Sequence, residues 1–212
     1  MKLNKTIICT FFIVLFHLVG LYGFSNSELE ELFIVLVPFH LLLMLSLLVI
    51  STNDFSLTIR TFAILVYLAG FFIEVIGVNT GLIFGSYTYG EALGFKLFST
   101  PLLIGVNWLI LVYCTGVFLE QFKIKSALIF CLIGALVLLS LDFLIEPIAI
   151  RFDYWSWAGG KIPLQNYLGW YLFSCLLFWI FRRLDFQKQN TAAIALLFAQ
   201  VVFFLALNFW AL

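Results

Sequence analysis

Residues 61–84 read TFAILVYLAGFFIEVIGVNTGLIF, a run whose one charged residue is Glu74. Crossing the hydrocarbon core of a bilayer takes about 20 apolar residues in a helix. This stretch meets that length, so the spacing predicts a membrane-spanning helix. The same rule applied outward predicts further spans at 6–24, 32–50, 101–119, 127–146, 167–181 and 192–211, the sixth being short. The expected fold is therefore all-α: a polytopic transmembrane bundle of about seven helices in one integral membrane domain, 1–212.

Composition agrees. Of 212 residues, 64% are hydrophobic, 19% aromatic and only 10% charged, with mean hydropathy +1.15. A soluble domain of this length has no way to hide so much apolar surface. Net charge is zero, which argues against nucleic acid as a partner and leaves the lipid bilayer as the expected surroundings. Lys2 and Lys5 precede an apolar run, as in a signal peptide, but no small-residue cleavage site follows Gly23, so a retained first helix is expected. Cys9, Cys114, Cys131 and Cys175 lie inside apolar runs without a CxxC pattern and read as small hydrophobes.

Lysine and arginine set the expected orientation. Lys2, Lys5, Arg60, Lys123, Lys125, Arg182, Arg183 and Lys188 fall on one side, and only Lys96, Arg151 and Lys161 on the other. Eight against three predicts a cytoplasmic amino terminus in the cell membrane. The two long connectors, 85–100 and 147–166, rich in Gly, Tyr and Trp, then share the outer face.

Acids inside spans are the informative residues, because a mid-helix carboxylate costs about 2.5–3.5 kcal/mol on insertion scales. Glu74 stands 13 residues above Thr61, and Asp142 stands 15 above Ala127. At 1.5 Å per residue both lie about 20 Å up their helices. Asn107, six residues below Pro101 on a descending helix, reaches a similar depth. Gly70, Glu74, Gly77 and Gly81 form one stripe at spacings of 4, 3 and 4, a face on which another helix can approach closely. Asp142 and Glu146 are one turn apart, and Pro147 is expected to end that helix. A buried acid can also do no more than lock packing through a hydrogen bond, and Trp155, Trp157 and Trp170 can be interfacial belt residues. His17 and His40 each stand alone on an apolar helix, where packing or a local hydrogen bond is the plainer role.

Two histidines are too few for a di-iron hydroxylase or desaturase, the last span has no lysine for a retinal Schiff base, and GxGxxG, HExxH and GxSxG are missing. Acid–base chemistry by carboxyl groups in an apolar cavity remains, with a small transporter or proton-relay protein, or an assembly factor, as alternatives of another class.

EVIGVNTGLIFGSYTYG (74–90), LGFKLFSTPLLIGVNW (93–108), LDFLIEP (141–147), YWSW (154–157) and IPLQNYLGW (162–170) together resemble the membrane carotenoid-biosynthesis hydratases. The resemblance covers about 70–170. It implies a cofactor-independent enzyme that adds water across the terminal C1–C2 double bond of an acyclic carotenoid end, giving a tertiary alcohol. An end-group cyclase is a neighbouring alternative, though its Pro-x-Glu-Glu pattern is missing. Carried onto this chain, the resemblance points to Glu74, Asp142 and Glu146 as the catalytic candidates; either Asp142 or Glu74 is expected to donate the proton, and the other to orient and deprotonate water with help from Asn107 or Asn166. It also points to Asn79, Tyr87, Trp155, Trp157, Asn166 and Trp170 around the substrate. Asn107 and its neighbour Trp108 join these binding candidates. The implied partners are the acyclic-ended carotenoid and water, with no metal.

Overall fold

A computed structural model describes residues 4–210; Lys2, used in the charge comparison, and residue 211 at the end of the last predicted span lie outside them. Seven helices, α1 (Lys5–Phe24), α2 (Glu30–Ser51), α3 (Leu57–Thr80), α4 (Leu103–Glu120), α5 (Ala127–Arg151), α6 (Leu164–Arg183) and α7 (Thr191–Trp210), are each long and apolar enough to cross a membrane. Many large apolar side chains, among them Phe11, Phe39, Leu57 and Phe143, stand exposed on the outside of the bundle. An apolar exterior suits lipid as the surrounding solvent.

The most enclosed helix is α4. It packs against α2, α3, α5, α6 and α7, and thirteen of its residues, including Trp108, Ile110, Leu111 and Val112, are buried. Around it, α1 pairs with α2 and α7, and α5 with α6.

Three helix ends differ from the sequence reading. First, α3 stops at Thr80 rather than 84, because Gly81 takes a left-handed conformation (φ 67°) and its N–H caps the Gly77 carbonyl. Second, Pro147 does not end α5, which continues to Arg151. Proline removes a single N–H from the ladder, and the following turn is still closed by Phe152 N–H to Ile148 O and Tyr154 N–H to Ala149 O. Third, α6 is not short: it starts at Leu164, straight after Pro163, and runs 20 residues. Gln165 and Asn166 look like connector residues by polarity, but they form its first turn.

The two long connectors are structured. β1 (Tyr87–Tyr89), between α3 and α4, pairs antiparallel with β4 (Trp155–Trp157), between α5 and α6, in the register Tyr87↔Trp157, Thr88↔Ser156, Tyr89↔Trp155. Side chains alternate across a strand. All four rings therefore turn inward and are buried, while Thr88 and Ser156 face out with their hydroxyls 3.1 Å apart. A second small pair, β2 (Lys96–Leu97) with β3 (Thr100–Pro101), closes the connector ahead of α4.

Candidate active site

The inward rings of the ribbon land on two acids from different helices. Glu74, on α3, is 3% exposed. Its Oε2 accepts from the Tyr87 hydroxyl at 2.5 Å and the Tyr89 hydroxyl at 2.8 Å, and its Oε1 from the Trp108 indole N–H at 3.0 Å. The predicted glycine stripe makes this possible. A Cβ on Gly70 would sit 2.6 Å from Trp108 Cβ, and one on Gly77 would sit 2.7 Å from the Phe84 ring and 3.0 Å from the Tyr87 oxygen.

Glu146, on α5, is 1% exposed. Its Oε2 accepts from both Trp155 and Trp157 indole N–H groups at 2.9 Å, and its Oε1 from the Asn166 amide at 3.1 Å. The same Asn166 amide nitrogen donates to Asp142 Oδ2 at 3.1 Å, so one side chain of α6 ties both acids of α5. Asp142 Oδ1 is buried with no hydrogen-bond partner. Each strand of the ribbon serves a different carboxyl group, the tyrosines Glu74 and the tryptophans Glu146.

Between Glu74 and Glu146 lies a cavity of about 20 Å³, walled also by Tyr87, Tyr89, Trp155 and Trp157. Holding one water takes about 10–15 Å³ and at least two polar partners. The space therefore fits a single water between two carboxyl groups. Asn166 and Trp170 complete its base, and Trp170 is stacked on Trp108 with ring centres 4.1 Å apart. Burial, and after it the Glu74 carboxyl, push the Tyr87 and Tyr89 phenols well above the ordinary tyrosine range, so both remain O–H donors.

Most sequence candidates converge here: Glu74, Tyr87, Glu146, Trp155, Trp157, Asn166 and Trp170 line the cavity. Trp108 stands behind it, holding Glu74. Asp142 is behind Asn166 and is not part of the wall. Asn107 faces a second, larger cavity instead. Asn79 is exposed, and its amide ties the Val75 and Phe98 carbonyls at 2.7 and 3.1 Å, which anchors the connector after α3. Tyr89 escaped the sequence reading, although the alternation in YTY places it on the same strand face as Tyr87.

The carotenoid biosynthesis protein family matches residues 31–212, which takes in every helix from α2 onward and the whole of this cavity. The chain belongs to this family. Among curated proteins, the bisanhydrobacterioruberin hydratase of Haloarcula japonica is 26% identical over 113 residues, covering 47% of this chain and 36% of that protein. The match thus spans about a third of the length of that relative. No solved structure matches. Membership in a carotenoid biosynthesis family agrees with what the site holds: aromatic faces, carboxyl groups and room for one small polar molecule.

Proposed function

We propose that this member of the carotenoid biosynthesis family is a hydratase, adding water across the terminal C1–C2 double bond of an acyclic carotenoid end. The observation that carries this reading is the one-water cavity held between Glu74 and Glu146.

The two acids share one kind of partner, since Trp108 gives Glu74 an indole N–H, and differ in the other: Glu74 has two phenols where Glu146 has only N–H donors, a difference that supports separate roles. Indole and amide N–H groups only donate. Glu146, held by three of them, is suited to stay an ionised acceptor. Phenol hydroxyls both donate and accept, so the Tyr87 and Tyr89 pair tolerates Glu74 with or without its proton. Glu74 is accordingly the acid and Glu146 the base. Asp142, one turn from Glu146 and given one donor only, is best kept neutral, which spares two like charges at adjacent turns.

Glu74 gives its proton to C2, and the alkene electron pair forms the new C–H bond. C1 is left as a tertiary cation, steadied by the Glu146 carboxylate and by the tryptophan faces, whose cation–π attraction is worth up to about 2 kcal/mol when dry. The water oxygen bonds to C1 and its surplus proton passes to Glu146. A proton returning from Glu146 to Glu74 closes the cycle. The Haloarcula japonica relative, named a hydratase, supports the same chemistry.

The test is expression in cells that make an acyclic-ended carotenoid, grown in H2(18)O. A tertiary alcohol carrying the label is expected. Glu74→Gln and Glu146→Gln should each lower the rate by about 10²-fold or more, the range for losing a general acid or base. Full product formation by both variants would overturn the reading.

A further inference from the structure

A second cavity, of about 290 Å³, lies against the first. α1, α2, α4, α5 and α7 all contribute to it, and it shares Ile104 and Trp155 with the wall of the acid cavity. Its volume is at the lower end for ligand pockets, about 300 Å³, which suits the end of a long ligand rather than the whole of one. Val19 on α1 and Leu36 and Phe39 on α2 line it and are also exposed on the outside of the bundle. The cavity therefore has a mouth on the lipid side.

Its wall is phenylalanine, leucine, valine and isoleucine for the most part, a surface for hydrocarbon. Asn107, His40, Gln200 and His17 depart from that pattern, and the last two do so in the same way. Gln200, on α7, is 8% exposed, and its Oε1 is buried with no hydrogen-bond partner. His17, on α1, is 6% exposed, with its Nδ1 2.7 Å from the Ile13 carbonyl. A carbonyl oxygen only accepts, so Nδ1 carries the hydrogen and the neutral ring presents Nε2 as an acceptor. Among the described residues no donor reaches that nitrogen. The His40 ring meets His17 at 4.9 Å without a hydrogen bond between them. Both groups line the one cavity and both need a donor.

We infer that this cavity takes the end of an acyclic polyene that carries a hydroxyl group, with Gln200 Oε1 and His17 Nε2 as the acceptors that read its O–H. The polyene rests on the hydratase reading; the hydroxyl rests on the two acceptors. A plain hydrocarbon would leave the buried Gln200 Oε1 unpaired and bring His17 Nε2 no donor, and so would a ketone, which brings no hydrogen. The oxygen has two sources that this chemistry does not separate: an alcohol already present near the reacting end, or the alcohol that hydration has just made, on its way out.

Protein in lipid nanodiscs, titrated with two polyenes of equal length, tests this. One polyene ends in a tertiary alcohol and the other in the corresponding hydrocarbon, and quenching of tryptophan fluorescence reads binding, Trp155 being in the wall. The wild type should hold the alcohol about fivefold tighter, the worth of a net hydrogen bond. Gln200→Leu and, separately, His17→Phe should erase that preference. No preference in the wild type overturns the inference, as does a preference that survives in both variants. Binding is read without turnover, so a preference in a protein that hydrates nothing sinks only the proposed reaction, and hydration without a preference sinks only the hydroxyl subsite. Turnover in H2(18)O then distinguishes the sources. Labelled product released faster from Gln200→Leu marks the new alcohol, and hydration confined to an already hydroxylated end marks the substrate's own.

Discussion

At the scale of single residues, the site is organised by what each neighbour of a carboxyl group can donate. Glu146 depends on two indoles, so replacing one should be felt in the fold as well as in the chemistry. Trp157→Phe keeps a ring in the ribbon but leaves Glu146 Oε2 with Trp155 alone. Losing a hydrogen bond to a charged group costs about 1.5–3 kcal/mol. A lower thermal midpoint is expected, together with a lower hydration rate, checked by scanning calorimetry and product analysis of the same preparation. The acids were legible in the sequence because a carboxyl group inside an apolar run has few idle explanations. Their partners were only partly so. Tyr87, Trp155, Trp157 and Asn166 come with the resemblance, whereas Tyr89 needs a strand to be recognised, and Asn79, to which the resemblance also points, is exposed and fastens the connector after α3. Polarity alone does not tell an amide that meets substrate from one that fastens a loop.

At the scale of elements, close approach between α3 and its neighbours sets where Glu74 sits. Gly77→Ala would press a methyl group against Phe84 and the Tyr87 oxygen. Overpacking of this kind costs about 1–3 kcal/mol, and it falls on the residue that holds Glu74. We expect Gly77→Ala to insert into membranes yet lose most hydration activity, measured as product per unit of folded protein. At the other end of the bundle, Asp54, between α2 and α3, accepts from the Gln187 N–H at 2.7 Å and the Ser56 N–H at 2.8 Å. These backbone donors, Gln187 first, hold its carboxyl below the ordinary carboxylate range. A depressed value means that the ionised form is favoured in the fold. Its contribution is thus present above the unfolded value, about 3.9, and is lost as pH falls through the lower folded one. Asp54→Asn should be less stable than the wild type at neutral pH, with the gap closing below about pH 4, as thermal midpoints across a pH series would show. Helices were the easiest elements to read, since length and hydropathy suffice. Their ends were not: a left-handed glycine shortened α3, α5 ran through a proline, and the polar first turn of α6 resembled a connector. The ribbon left its only trace in the alternation of rings and hydroxyls in YTY and WSW.

At the scale of the whole molecule, both long connectors lie at the same end of the bundle, and the excess of lysine and arginine lies at the other. Single cysteines placed at Glu91 and at Lys125, in a background lacking the native four, should react with an impermeant thiol reagent from opposite sides of the membrane. Glu91 is expected to be reached from outside, and labelling in the reverse sense would invert the orientation. The site also divides along the chain. Every donor to Glu74 lies within residues 74–108, and every donor to Glu146 within 146–166. Each acid is thus equipped by its own stretch of chain, and the two stretches are stitched by the three residue pairs of β1 and β4. The water-sized gap sits on that seam, so anything that slides one half of the molecule against the other resizes it while leaving both sets of hydrogen bonds whole.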